Sequence, residues 1–593
     1  MSSPRSINIP GKSSMIPSFT AATVVLLVVV SSCTTIPDPP TIPTDPGSFA
    51  SLVDQRAAHV LKRRKIQGGL SLGVYSRGDT LLARGYGYAD QARGQRITDE
   101  TPMPVGSVSK TFTALGVMQL VEDGIVGLAD PLSLHLPTLS LPDGAENRIT
   151  VGMLLTHRSG IQGDVLVDFV TRDNVDASEY QRRTLDILAD RPLLYEPGKL
   201  YSYSNAGFAL LGILIEEKSG VSYADYVRTR IFEPAGMEDS LVYPGERATE
   251  IPLGYGMGEP SIPARIRDMA AGSLLISSRD MMKFVDALFT GRIVTEATWN
   301  EMVRPQNRGN PYDRSFSIGL GYWLINPLET EDLMAAHGGD IPPYQALLVI
   351  LPDRKSAVFA AANDMSTGAP LAMPTGTEIL KDLLQYEEGV SLETLQTTRP
   401  TSPGYSGDVA SLAGLYNTVA GPIAVVERNG RLSMRIMGMN LHLNQDDHGW
   451  WKPHLRILGI PVRIGALDAL SVDLFTVDGD SWIGLWSGGI YGGSYRMIDD
   501  PGKPEEFAVR TGTWRTVDPG QVVQEIRIRS GRDFYLLSFD FLGNKLSFVL
   551  QPEGADFATV AGEGRFVGDR LVFRREGDLD FVEYSGMVLQ KTR

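Results

Sequence analysis

The sequence predicts a mixed α/β domain followed by an all-β antiparallel region, and three observations carry that prediction. Within residues 49–389, strand-like hairpins stand at both ends and helical periods lie between them. Residues 397–407, rich in Thr, Ser, Pro and Gly, then interrupt the pattern. Beyond them the helical periods vanish, leaving short alternating runs with Gly-rich turns. At 593 residues the chain is too long for one core, and roughly three or four domains are expected. Its 42% hydrophobic and 21% charged content is that of a globular protein. A net charge of −15 and the lack of a dense basic patch argue against a nucleic-acid partner. The one basic run, Lys62-Arg63-Arg64-Lys65, reads as the solvated face of an N-terminal helix.

Taken in order, the chain begins with Arg5 and Lys12, no acid before Asp38, an uncharged apolar run at 21–30, and then Ser31-Ser32-Cys33. The run is short for a permanent span, and a basic start, a short apolar stretch and small residues fit an export signal over 1–32. Val30-Ser31-Ser32-Cys33 resembles the lipobox of bacterial lipoproteins, which implies that Cys33, the only cysteine, is the lipidated first residue of the mature protein. The alternative is an incidental Cys within an ordinary signal. Residues 33–48 carry five prolines and read as a tether holding the next domain off a membrane surface.

In the domain at 49–389, Gly69-Leu70-Ser71-Leu72-Gly73-Val74-Tyr75 and Leu81-Leu82-Ala83-Arg84-Gly85-Tyr86 form a hairpin across Arg77-Gly78-Asp79. Residues 346–351 and 357–361 form another across Pro352-Asp353-Arg354, and a helix at 377–386 closes the domain. Strands at both ends with helices between predict an antiparallel sheet completed by the two termini of the domain. After a linker at 390–407, β-units are expected at 408–500 and 505–593. Ala413-Gly414-Leu415-Tyr416-Asn417-Thr418 echoes Thr511-Gly512-Thr513-Trp514-Arg515-Thr516, and Asn429-Gly430-Arg431-Leu432 echoes Ser530-Gly531-Arg532-Asp533. Two barrels are the expectation, one larger barrel the alternative. The tail tryptophans are expected in barrel cores or rims.

The chemistry sits at Pro104-Val105-Gly106-Ser107-Val108-Ser109-Lys110-Thr111-Phe112. Apolar residues recur at the helical period after Ser107, and Asp123-Gly124 supplies a stop, so a helix is predicted from Ser107 onward. Residues i and i+3 share a face, so Lys110 Nζ can reach Ser107 Oγ. A hydroxyl attacks only beside a base, and a helix N-terminus offers N–H groups to a developing oxyanion. Alone, Ser-x-x-Lys is weak, expected about once by chance in such a chain. Here it is followed by Tyr203-Ser204-Asn205 and His337-Gly338-Gly339, each pattern occurring once and in that order.

These three motifs resemble the signature of the serine β-lactamase and penicillin-binding-protein-like superfamily: Ser-x-x-Lys, then Ser/Tyr-x-Asn, then Lys-Thr-Gly or a variant. The narrower resemblance is to the branch of class C β-lactamases, D-alanyl-D-alanine carboxypeptidases, D-aminopeptidases and family VIII esterases. Leu154-Leu155-Thr156-His157-Arg158-Ser159-Gly160 and Tyr195-Glu196-Pro197-Gly198 support it. The resemblance implies Ser107 as nucleophile, Lys110 and Tyr203 as proton carriers, and Asn205 as a ligand of the substrate amide and of Lys110. It implies an oxyanion hole from the N–H groups of Ser107 and Asp340, with Gly338 and Gly339 allowing close approach of the acyl group. His337 replaces the family's usual Lys and is expected to donate a hydrogen bond to substrate. Asp340, where relatives often carry a small residue, either recognises a substrate amine or points to solvent. His157 is expected to be structural.

The resulting expectation is an exported, lipid-anchored serine hydrolase of a bacterial cell envelope, acting on a peptide, amide or ester. A D-amino peptidase or carboxypeptidase is favoured, because relatives with C-terminal barrels have such activities. An esterase, a weak β-lactamase and a non-hydrolytic penicillin- or cell-wall-binding lipoprotein are the rivals. No metal or organic cofactor is implied.

Overall fold

A computed structural model of the chain describes residues 41–593 apart from 172–175, 244–250, 368–369, 397–400, 437, 458–459, 463–466, 468–469, 488–489, 542–543, 564–566 and 593. Cys33 and the expected signal lie outside the described residues. Among the described residues, no helix is long and apolar enough to cross a membrane.

The first helix, α1 (Pro46–Arg63), begins inside the expected tether. Proline is tolerated at N1, where no intrahelical N–H bond is needed, and Asp45 caps the helix by accepting from Gly47 and Ser48 N–H. The proline-rich reading therefore overshot by three residues. The hairpin β1 (Gly69–Ser76) and β2 (Asp79–Asp90) follows. The helical region includes α2 (Ser109–Glu122) and α3 (Asn205–Ser219). The chain then returns through β3 (Trp323–Ile325), β4 (Met334–Ile341), β5 (Tyr344–Leu351) and β6 (Ser356–Ala362) to α4 (Ala372–Glu388). That last helix starts five residues before the expected 377, because Pro374 falls in its first turn and does not break it.

The sheet runs in the order Gln95–Arg96, β2, β1, β6, β5, β4, β3, Ser317–Ile318, all antiparallel. Residues from both ends of the domain thus meet at the β1–β6 pair, Leu72 opposite Ala360. One face packs on α1 and α4 through Phe49, Val53, Leu72, Val358, Ile379 and Leu383. The opposite face packs on the helical region, where α2 and α3 are buried on nearly every side. A helix apolar all round belongs in a core, and such a core holds its N-terminal residues rigidly.

Two closed eight-stranded antiparallel barrels follow. The first lies in residues 414–498, closed by the Leu443–Pro453 and Leu415–Ile498 pairings, with Ile460–Val462 as an appended strand. The second lies in residues 512–591, closed by Trp514 opposite Lys591. A single larger barrel is thereby set aside. Each has its own apolar interior, with Trp514 wholly buried in the second. The intervening segment is no free linker: Leu392–Leu395 is a short helix, and Ser402 Oγ donates to Asp473 Oδ1 of the first barrel at 2.8 Å. Trp450, Trp486 and Tyr491 of the first barrel pack instead against Tyr201 and Phe316 of the catalytic-motif domain.

Candidate active site

Ser107 sits in a 3₁₀ turn, Gly106–Val108, that runs directly into α2. The helix proper therefore starts two residues after the position read from the sequence. Gly106 adopts φ +51, and a Cβ there would come within 2.8 Å of Asp340 N. Gly339 is needed for a second reason: a Cβ would lie 1.8 Å from Val105 O and 3.2 Å from Ser107 N. These two glycines let β4 press against the nucleophile turn, which brings the backbone of Asp340 beside that of Ser107, the pairing an oxyanion hole requires.

Lys110 is fully buried, and its Nζ donates to Ser107 Oγ at 3.2 Å, Asn205 Oδ1 at 2.7 Å and Ala271 O at 2.7 Å. Three acceptors match the three donors of an ammonium. The same Nζ lies 4.8 Å from the centroid of the Tyr203 ring. Ser107, Lys110, Tyr203 and Asn205, separated by up to 98 residues, are thus gathered around one nitrogen.

Asn205 is the first residue of α3, whose cap Ser204 accepts from Gly207 N at 2.9 Å. Its amide has one orientation: Nδ2 donates to Asp164 Oδ1 at 2.5 Å, so Oδ1 faces Lys110. Asp164 was not singled out in the sequence. A lone carboxylate 41 residues before its partner carries no spacing signal. His157 holds the Tyr203 segment, as its structural reading expected. Its Nδ1 accepts from Ser204 N at 3.0 Å, its carbonyl accepts from Ser202 N at 2.9 Å, and its ring packs 4.4 Å from that of Tyr203.

His337 lies on β4, 1% exposed, stacked on Trp323 with ring centroids 4.6 Å apart. Its Nδ1 meets Gly338 O at 2.7 Å. A carbonyl only accepts, so Nδ1 carries the proton and Nε2 presents a lone pair, closed off and without a partner among the described residues. Burial, and secondarily the charge of Lys110, lowers its pKa to about 3. The expected donor is therefore, in this resting arrangement, a neutral acceptor.

Asp340 fits neither of its two expected roles. Side chains alternate along a strand, and Gly339 faces the Ser107 turn, so Asp340 projects from the opposite face with Gly338, whose Cβ would meet Met373 of α4. The residue is half-buried, yet both carboxylate oxygens are closed off and unpaired among the described residues. Burial raises its pKa to about 7.

The beta-lactamase family model matches residues 50–377. Penicillin-binding protein 4* of Bacillus subtilis is 26% identical over 306 residues, covering 48% of this chain and 66% of that protein. The chain thus spans just under two thirds of that curated relative's length. Penicillin-binding protein 4 of Amycolatopsis lactamdurans is 30% identical over 372 residues, covering 60% of this chain and 94% of that one. Among solved structures, the octameric penicillin-binding protein homologue from Pyrococcus abyssi superposes with a TM-score of 0.51 at 24% identity, covering 77% of this chain and 100% of that one, which is a likeness of fold.

Proposed function

Because the chain belongs to the beta-lactamase family, we propose that it is a serine hydrolase in which Ser107 is acylated by a peptide, amide or ester and then released by water, with D-amino peptides or amides favoured. The observation that carries this reading is Lys110 Nζ, held between Ser107 Oγ and Asn205 Oδ1 under the Tyr203 ring. An ammonium there lowers the cost of ionising a neighbouring phenol, so Tyr203 can take the Ser107 proton and pass it to the leaving group. The N–H groups of Ser107 and Asp340 would hold the oxyanion.

The preference for amines or amides over free carboxylates draws on His337. A neutral acceptor offers no fixed positive charge to a substrate carboxylate, as the family's usual Lys would. The favoured substrate class also draws on the two barrels, one of which backs the site with an aromatic layer.

A panel of D-amino amides, D-Ala-D-Ala peptides, short-chain nitrophenyl esters and nitrocefin, run beside Ser107→Ala, tests the reading. Turnover of D-amino amides that disappears in Ser107→Ala is expected. A stable acyl-enzyme without turnover on every substrate would favour the non-hydrolytic binder instead. Export and lipid anchoring through Cys33 are part of the proposal, supported by Val30-Ser31-Ser32-Cys33. Cys33→Ser should leave the membrane fraction or stay unprocessed, and unchanged membrane association with normal processing would remove that element.

A further inference from the structure

We propose that Asp164 is a positioning residue for the Lys110–Asn205 pair and that the second barrel holds it in place, so that a domain at the far end of the chain is part of the catalytic apparatus. This rests on the reading of Ser107, Lys110 and Asn205 as the reacting centre. Asp164 is 3% exposed and accepts only, so it forces Asn205 Nδ2 toward itself and Oδ1 toward Lys110. A primary amide has two nearly isosteric orientations, and the wrong one would aim N–H groups at the ammonium.

What fixes Asp164 is the segment 163–169, which forms no strand or helix and, apart from the Phe169 N–H to Leu166 O bond at 3.3 Å, takes its backbone partners from outside. Gly163 O accepts from Asn205 N at 2.9 Å and Ala206 N at 3.1 Å, tying the segment to the start of α3. On the other side, the second barrel accepts the next amides: Leu166 N donates to Ser585 Oγ at 3.0 Å, Val167 N to Ser585 O at 3.2 Å and Asp168 N to Gln521 Oε1 at 2.9 Å. The carbonyls turn back to the buried Arg267, which donates to Val167 O at 2.6 Å and Val165 O at 3.2 Å. Leu166 and Phe169 enter the apolar core of the barrel, the Phe169 ring meeting that of Phe541 at 5.5 Å. Leu166 is buried, and a buried backbone N–H needs a partner, so loss of the Ser585 hydroxyl leaves that amide unsatisfied and favours a different path for the segment. Asp164 lies two residues before the first barrel-held amide.

The test uses the full-length protein and a fluorophosphonate probe, following probe addition to Ser107 by intact mass at several probe concentrations, with circular dichroism as the fold check. Asp164→Asn is expected to slow maximal labelling by about ten- to a hundredfold, with little change in the half-saturating probe concentration. Asp164→Glu, which keeps an acceptor, is expected to regain part of the rate. The double variant Gln521→Ala/Ser585→Ala, which touches only the barrel, should slow labelling about threefold or more. Wild-type labelling by Asp164→Asn overturns the positioning role, as does slow labelling that Asp164→Glu fails to improve. If Asp164→Asn does not fold, the double variant decides, and a wild-type rate there overturns the role of the barrel. Ser107→Ala should not be labelled; labelling that persists in it contradicts the assignment of the nucleophile and leaves the question of Asp164 separate.

Discussion

The two edges of the site are built differently. On the Asn205 edge the groups form a closed chain: Lys110 to Asn205, Asn205 to Asp164, and the segment beyond Asp164 to Arg267 and the second barrel. On β4, His337 at Nε2 and, on the opposite face of the strand, the half-buried Asp340 at both oxygens have polar atoms closed off and without a partner among the described residues. Behind the β4 edge lies packing: Trp323 stacks on His337 and donates through Nε1 to Tyr201 OH at 3.1 Å, and Tyr201 and Phe316 meet Trp486, Tyr491 and Trp450 of the first barrel. Unsatisfied buried polar groups cost stability and persist where function requires them. The contrast is between an edge tied by a chain of hydrogen bonds and one backed chiefly by aromatic packing.

The largest expected effect breaks the aromatic layer. Trp486, 8% exposed, packs on Phe316, Trp450 and Tyr491, and Trp486→Ala should cost about 3–5 kcal/mol in chemical denaturation, the range for emptying a large aromatic site. Among molecules that remain folded, the ranking of substrates by kcat/KM should shift, because the layer backs Trp323 and His337. An unchanged ranking would show that the first barrel does not shape the β4 edge.

Asp340→Asn is expected to stabilise. The folded protein holds the Asp340 proton to about pH 7, whereas an unfolded Asp loses it near pH 4, roughly its free value. Between those limits the folded state binds more protons, so wild-type stability falls as pH rises through the window. The Tm gain of Asp340→Asn should be small near pH 4 and largest above pH 7, worth about 1–3 kcal/mol there. A gain that is equal at both ends would mean the carboxylate is not desolvated.

These features show what the sequence carries and what it does not. Ser107 and Lys110 were legible because i and i+3 coincide on one helical face, and Tyr203-Ser204-Asn205 and His337-Gly338-Gly339 because each is a compact run. The barrels were legible through alternation and the Asn429-Gly430 turn, with Gly430 at φ +75. Asp164 was not, since its role depends on a single contact to Asn205 and on Leu166 meeting Ser585, 419 residues away. The face taken by Asp340 depends on the register of β4 against β5, and the acceptor state of His337 on one backbone carbonyl. Neither leaves a trace in residue spacing.

A smaller effect sharpens the role of His337. With its pKa lowered to about 3, the ring stays neutral across the working range, so kcat/KM should show no transition from this residue between about pH 5 and pH 8. Folding stability, by contrast, should decline as pH drops from about 6.5 toward 3, where the unfolded ring takes up a proton and the folded one does not. An activity inflection near pH 6.5 that vanishes in His337→Gln would show a solvated ring. Smallest is the bridge from Lys199 Nζ to Glu563 Oε2 at 2.8 Å, another tie between the motif domain and the second barrel. Glu563→Ala should cost about 1 kcal/mol or less, with kcat/KM unchanged, since this half-buried pair does not touch the segment 163–169.

The central claim is that one serine, served by Lys110, Tyr203 and Asn205, is the acylated group. Its most direct measurement is intact-protein mass spectrometry after a fluorophosphonate probe, with peptide mapping of the product. One adduct on Ser107 in the wild type, and none in Ser107→Ala, is the predicted result. An adduct on another residue, or equal labelling of Ser107→Ala, would contradict it.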